Sequence, residues 1–224
     1  DFSVYSRRAI TPTWGHIDDM FIHSDDFGER TRIGNPLKKE MEDLNISQLP
    51  NLEEKVKATY TLLKSKVKWN ERYALLGRLP KQTLKEGTGN NADINFILIN
   101  MLNDIGIKAY PVVMSRRDLP QIPYYPSLES LNTFIVGIAA TDSTYIYLDG
   151  SIRDGYIDVL PPILMTNRAR LINPEKCKWV DLQNIGKHAF RNSIQATIDA
   201  EGTLKGTCTN LYYGQYAAQR KESF

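Results

Sequence analysis

The sequence predicts an α+β fold in which one buried central helix packs on an antiparallel sheet. Residues 94–107 are apolar on nearly all sides, which is typical of a helix enclosed by other elements. The pattern then changes, and three β-rich stretches follow at residues 109–114, 133–138 and 144–149. Strands that come after a buried helix favour an α+β layer, and the short turn at residues 141–143 predicts an antiparallel hairpin.

Composition limits the classes of function. The chain has 224 residues and a mass of 25.6 kDa, enough for one large domain with part of another. Hydrophobic residues make up 42% and charged residues 24%, which excludes a disordered chain, a collagen-like repeat and a coiled coil. With 28 basic and 26 acidic residues the net charge is +2, so we expect no nucleic-acid partner. We also expect no membrane span, because the longest apolar run, at residues 96–102, contains Asn100.

Cysteines and histidines are few, and their spacing matches no metal site. The histidines lie far apart, at His16, His23 and His188. We therefore predict no metal and no cofactor. Cys177 and Cys208 either form one disulfide in an oxidising compartment or remain two free thiols, and the sequence leaves both possibilities open. The chain begins at Asp1, which we interpret as a mature or excised fragment from which any targeting segment has been removed.

Three amphipathic helices are predicted before the buried one. The first begins at a Thr11 cap with Pro12 in its first turn, and it ends near Gly28. The second begins near residues 35–36. The third covers residues 50–69, where apolar residues recur at helical spacing: Leu52, Val56, Tyr60, Leu63 and Val67. Its lysines are expected to form a solvated face rather than a phosphate site.

A glycine-rich turn at residues 87–93 leads into the buried helix, and Gly106 is expected to end it. Farther along, residues 119–127 form a loop rich in proline and tyrosine. Strands at residues 193–199 and 204–211, with a turn at Glu201 and Gly202, predict a hairpin that opens a further β domain. We place one domain at residues 1–183, with a core at about 50–172, and a partial β-rich segment at 184–224.

Several of these segments resemble the transglutaminase-like branch of the papain-type cysteine enzymes. The resembling segments are residues 87–93 with the buried helix after them, then 106–112, 131–136 and 147–150. A wider set resembles the degenerate middle domains of bacterial secreted or periplasmic multi-domain proteins: Trp14 and residues 24–28, 68–70, 115–117, 160–162 and 199–202. The resemblance covers roughly residues 10–183. It implies an extracytoplasmic location, periplasmic or at the cell surface, and neighbouring domains in a longer protein.

The same resemblance implies that the catalytic residues have been replaced. Its motif carries a cysteine where this chain has Asn91 and a histidine where it has Thr133, and only the orienting carboxylate, Asp149, is kept. The family's chemistry needs a thiolate and a base, and neither an amide nor a threonine hydroxyl supplies them. We expect Asn91, like Asn90, to act as a helix cap instead. For Asp149 two outcomes stay open: an arginine partner (Arg116, Arg117 or Arg153), or solvent at the strand end.

Three hypotheses for function remain. The first is an inactive module that holds a peptide or a glycan, or supports neighbouring domains. Its candidate binding residues are Trp69, Tyr110, Tyr124, Tyr125 and Arg116. The second is a divergent hydrolase or acyl transferase that uses the same cleft without a cysteine. The third is a structural spacer whose cleft is filled by its own loop at residues 119–127.

Overall fold

The structure is a computed structural model that describes residues 13–153 and 155–222. It confirms the predicted α+β class. Six α-helices are formed within those residues: α1 (Trp14–His23), α2 (Lys38–Asp43), α3 (Leu52–Lys66), α4 (Pro80–Glu86), α5 (Asn91–Asp104) and α6 (Gln215–Glu222). The strands of the same residues are β1 (Lys68–Trp69), β2 (Thr88–Gly89), β3 (Ala109–Met114), β4 (Thr133–Ala139), β5 (Tyr145–Leu148), β6 (Ala169–Leu171), β7 (Lys178–Val180), β8 (Ala189–Ile198) and β9 (Leu204–Tyr213).

Five of these strands form the main sheet, which is antiparallel throughout in the order β5-β4-β3-β6-β7. The longest pairing joins β3 to β4, from Ala109 opposite Ile138 to Met114 opposite Thr133. Apolar side chains cover both faces of this sheet. Phe134 and Val136 belong to the core shared with the helices, whereas Val112 and Ile135 belong to a smaller core on the other face. The alternation of strand side chains therefore serves two apolar layers.

The helix α5 is the centre of the larger core, as predicted. Asn90 caps it, since its side-chain oxygen accepts from the backbone N–H of Asp93 over 2.8 Å and the Asp93 carboxylate accepts from the N–H of Asn90 over 2.9 Å. Every residue from Asn91 to Leu102 is buried. The chain leaves the helix through Gly106, whose φ of +80° lies in the left-handed region that glycine enters without strain.

The N-terminal helices differ from prediction in their bounds. Helix α1 is capped by Thr13, which accepts from the N–H of His16, and it ends at His23 rather than near Gly28. The predicted cap at Thr11, and Pro12 after it, lie outside the described residues. Extended backbone at Ser24 ends α1, and Gly28 instead precedes a short 3-10 turn.

For the amphipathic helix α3, the apolar face was predicted correctly, but the predicted helix extends too far at its C-terminal end. Val56, Tyr60 and Leu63 are buried as expected. The helix ends at Lys66, because Val67 is extended and Lys68–Trp69 becomes β1, which pairs in parallel with β2. The two extended residues of β1 provide β2, which lies beside the glycine turn, with a hydrogen-bonding strand partner.

Past the main sheet, β8 and β9 form the predicted hairpin, with ten residues in each strand. The pairing runs from Ala189 opposite Tyr213 to Ile198 opposite Leu204. Most side chains of the hairpin are exposed. The short elements α4, β6, β7 and α6 were not predicted from the sequence.

Candidate functional site

Asn91 lies at the start of α5 and is fully buried. Its Nδ2 group donates to Oγ1 of Thr133 over 2.7 Å and to the carbonyl oxygen of Phe134 over 3.1 Å. Its Oδ1 atom accepts from the backbone N–H of Ala74 over 2.6 Å. The prediction that Asn91 caps the helix is therefore wrong: Asn90 makes the cap, and the Asn91 amide joins α5 to β4 and to the segment before α4.

Asp149 follows β5 and is also fully buried. One carboxylate oxygen, Oδ1, accepts from the N–H of Ser151 over 2.9 Å, from its hydroxyl over 2.8 Å and from Nδ2 of Asn95 over 3.1 Å. Burial raises the pKa of Asp149 above its ordinary value, and the bonds from Ser151 and Asn95 oppose that rise. Both expected outcomes, an arginine partner and a solvent-facing carboxylate, are wrong.

Asn95 connects the two halves of this network. It lies one helical turn after Asn91 on α5, donates to the Phe134 carbonyl over 2.9 Å and accepts from the N–H of Gly150 over 2.7 Å. Asn91, Thr133 and Asp149 are thus brought together, the first two directly and the third through Asn95. Sequence analysis did not single out Asn95. Its polar side chain, four residues after Asn91 in an otherwise apolar helix, was the available clue.

This polar network is closed to solvent. Asn91, Thr133 and Asp149 each have 0% of their surface exposed. The other oxygen of Asp149, Oδ2, is buried and has no hydrogen-bond partner among the described residues. A buried polar atom of this kind carries a desolvation penalty, which agrees with the raised pKa of the carboxyl group.

Tyr73 lies near the network, next to the residue that binds Asn91. Its ring contacts Trp69 at 5.0 Å between centroids, and the Arg116 guanidinium lies 5.0 Å from its centre. Burial, and then the nearby charge of Asp149, raise the pKa of the Tyr73 hydroxyl well above its ordinary value. The phenol therefore stays neutral across the physiological range.

Both cysteines are free thiols and lie away from the start of α5. Cys177 is in the turn between β6 and β7, where its Sγ atom contacts the carbonyl oxygen of Asn173. Burial, followed by the charge of Asp18, raises the pKa of Cys177 to about 11. Cys208 is on β9, opposite Ile194. The disulfide that the sequence left open is not formed.

The histidines are used in local structure. Nδ1 of His16 accepts from the N–H of Thr13, and His23 contacts the Asp19 carbonyl. His188 contacts the carbonyl oxygen of Ile185 and accepts from the N–H of Gln215 at the start of α6. In residues 13–153 and 155–222, no three side chains of His, Cys, Asp or Glu cluster as metal ligands. The helices in those residues are also too short or too polar to cross a bilayer.

The five candidate binding residues fall into separate places. Trp69 and Arg116 meet around Tyr73, as described above. Tyr110 packs near Tyr145, with 6.4 Å between ring centroids. Tyr124 lies against the Arg168 guanidinium at 5.0 Å, and it is 94% exposed, with Tyr125 at 70%. The structure does not bring these residues together into one aromatic cleft over Asn91.

Comparison with known proteins does not identify a family for this chain. No family model matches the chain, and no curated protein sequence matches it. A crystal structure named as a putative protease from Parabacteroides distasonis is similar, with a TM-score of 0.46 and 14% identity. The similarity covers 68% of this chain and 29% of that one, so the chain spans less than a third of its length. A likeness of this size does not assign the chain to a family.

Proposed function

We propose that the chain is a transglutaminase-like module without transglutaminase or protease activity. In this proposal it acts as a ligand-holding or supporting domain of a larger secreted or periplasmic protein. The observation that carries the proposal is the bonding of Asn91. The residue at the nucleophile position of the resembling family is a buried amide whose oxygen and nitrogen both bond within the protein.

The chemistry of the three positions supports an inactive module. Acyl transfer by this family requires a thiolate and a base that takes its proton. An amide nitrogen is not a nucleophile, and the Thr133 hydroxyl is not a base near neutral pH. Asp149 is bonded to Ser151 and Asn95 in place of an imidazole. Because nucleophile and base act as one unit, replacing both removes nearly all of the rate that either supplies.

Burial supports the same proposal. A substrate carbonyl would have to reach Asn91, whose exposed fraction is zero. The network instead links α5, β4 and the end of β5 through hydrogen bonds that are worth most when they are shielded from water. A buried network that joins three elements in this way favours one arrangement of them, as a supporting domain requires.

A second candidate is a divergent hydrolase or acyl transferase that works without cysteine. The observation that favours it is Oδ2 of Asp149, a buried carboxylate oxygen with no partner among the described residues. Carboxyl groups with raised pKa values are frequent at catalytic sites, where they exchange protons near neutral pH. This candidate requires turnover that depends on Asp149.

The two candidates are separated by activity assays on the full chain. The assays are incorporation of a fluorescent primary amine into a glutamine peptide, hydrolysis of labelled casein, and hydrolysis of p-nitrophenyl acetate. We expect no turnover above buffer. Turnover that disappears in both Asn91→Ala and Asp149→Ala, but persists in the exposed control Asp142→Asn, would overturn the proposal in favour of the second candidate.

A further inference from the structure

A cleft of about 640 Å³ lies against α3, and Asn91 is not among the residues that line it. Its walls are α3, the turns at residues 153 and 155–159, the base of the β8–β9 hairpin and the helix α6. A volume of this size is typical of sites for small molecules, which are usually concave and largely preformed. None of the residues of the buried network lines this cleft.

The described walls of the cleft carry more basic than acidic side chains. Among the described residues, five basic side chains line the cleft: Lys57, Lys64, Arg153, Lys187 and Lys221. The acidic side chains of the described walls are Glu53 and Asp158. The net charge of +2 for the whole chain therefore does not reveal the local excess of positive charge at this cleft.

Three of these basic groups are available to a ligand. Lys57, Arg153 and Lys187 are exposed, and none forms a hydrogen bond or ion pair with the described residues. Of the two acids, Asp158 is bound within the protein, because its Oδ1 atom accepts from the N–H of Tyr147 over 2.8 Å. Counted over the described residues, the walls present five basic and two acidic side chains, and this excess of positive charge favours an anion.

Tyrosine rings give the cleft a second recognisable feature. Tyr156 and Tyr213 line it and are 45% and 47% exposed. The Lys221 ammonium donates to the Tyr156 hydroxyl and lies 4.8 Å from the centre of its ring. Rigid aromatic faces bind flat or ring-shaped groups at a small loss of conformational entropy.

The walls are less suited to an extended peptide. Peptides that bind in extended form use the free main-chain groups of a strand edge. Much of this cleft is formed by α3 and α6, whose main-chain groups are already paired within the helices. Recognition then falls to side chains, and the side chains present are cationic groups and aromatic rings.

We propose that this cleft binds an acidic saccharide, with its carboxylates on the lysine and arginine side chains and a sugar ring against Tyr156 or Tyr213. This inference names the class of ligand for the binding role proposed above. It rests on that proposal only for the claim that the chain binds the ligand without converting it to a product. Trigalacturonate is a suitable probe, and its fully methyl-esterified form is the matched control, with the same rings and no charge.

The experiment is isothermal titration calorimetry of the full chain with trigalacturonate at low salt. We expect saturable binding that is absent with the methyl ester and weakens as salt is raised, because the contacts are partly exposed charge pairs. The double variant K57Q/R153Q should bind about tenfold more weakly, since two rim contacts are lost. The variant K39Q/K81Q, which removes two exposed lysines elsewhere, should bind as the wild type does.

Several results would overturn the inference. They are absence of binding, equal binding of the methyl ester, equal binding of tetraglutamate, and equal loss of affinity in both double variants. Circular dichroism of each variant checks that it is folded. Chromatography of the ligand after the titration distinguishes the two proposals. A cleaved saccharide would refute the inactive module but not the binding of an acidic saccharide in the cleft. Absence of binding would refute the saccharide site but would not change the results of the activity assays.

Discussion

The side-chain amide of Asn91 donates a 2.7 Å hydrogen bond to the hydroxyl of Thr133, joining the start of α5 to the start of β4. The same amide binds Ala74 through its oxygen. Three parts of the chain that are distant in sequence thus meet at one buried side chain. This relationship makes Asn91 a structural residue whose loss can be measured as stability.

Replacing Asn91 with alanine should lower the free energy of unfolding by about 2–4 kcal/mol, because it leaves the partly buried N–H of Ala74 and the buried Thr133 hydroxyl without their partner. Urea unfolding followed by circular dichroism measures the change. The control is Asn167→Ala, at an exposed asparagine. A loss of under about 0.5 kcal/mol for Asn91→Ala, the size expected at a surface position, would contradict the structural role.

The double variant N91C/T133H should remain inactive in the amine-incorporation assay. It restores the residue types of the resembling family, but the site stays closed to solvent, and Oδ1 of Asp149 is still held by Ser151 and Asn95. Slow reaction of the introduced thiol with an aromatic disulfide reagent would indicate the same burial. Measurable turnover would instead mean that the fold opens enough to admit a substrate.

Asp149 should make the protein less stable as pH rises. Its pKa in the folded state lies above the ordinary value of 3.8, so the folded protein holds this proton where the unfolded chain has lost it. Stability from this group is complete below pH 3.8 and declines as pH rises through the folded pKa. Asp149→Asn lacks this dependence. The difference in unfolding free energy between variant and wild type, measured in urea from pH 4 upward, should therefore shift in favour of the variant.

Subtracting the variant from the wild type removes the contributions of the other carboxylates, so the comparison isolates one group. The prediction fails if the difference between the two proteins is the same at every pH. It also fails if the wild type gains stability over the variant as pH rises, which would indicate a lowered pKa.

Asp18 on α1 and Arg170 on β6 form a buried ion pair. Nε and Nη2 of the guanidinium donate to the two carboxylate oxygens of Asp18. Asp18→Ala should destabilise the protein by about 3–5 kcal/mol, because it leaves a buried guanidinium without its counter-charge. Thermal unfolding measures this. The exposed pair of Glu29 and Arg32 is the matched control, for which Glu29→Ala should cost under about 1 kcal/mol. Equal effects at the two sites would contradict the prediction.

The two thiols should differ in reactivity. Cys208 is exposed, whereas Cys177 is partly buried with its pKa raised to about 11, so little thiolate forms at neutral pH. We expect one fast-reacting thiol in the folded protein and two after denaturation, measured with a chromogenic disulfide reagent. The variant Cys208→Ser should remove the fast phase, and its persistence would place the reactive thiol at Cys177.

The sequence predicted elements whose formation depends on local pattern. The apolar run became α5, Asn90 caps it as expected, and β3 formed over the predicted residues. The short strand β6 was missed because its pattern over Ala169–Leu171 is too brief, and it exists by pairing with β3. Helix α4, with Pro80 in its first turn, was missed for the same lack of length.

At the candidate site, the resemblance pointed to Asn91, Thr133 and Asp149. The hydrogen-bond partners of these residues could be found only from the structure. The direction of the Asn91 amide depends on Ala74, which lies 17 residues earlier in the chain. The bonding of Asp149 depends on Asn95, which lies on another element. The binding residues were grouped by chemical type alone, and the structure carries them on separate segments, with Tyr110 on β3 and Tyr124 in the loop before β4.

The contact between Trp14 and Trp179 has a consequence for how the polypeptide can be rearranged. Their rings meet edge to face with 4.7 Å between centroids, so the backbone of α1 begins beside the strand β7. A short linker could therefore join residue 182 to residue 13, and new ends could be opened in the exposed turn at residues 141–143. Such a circular permutant of residues 13–182 should keep the same sheet order, since contact between the ends of a folded unit is what makes permutation tolerable.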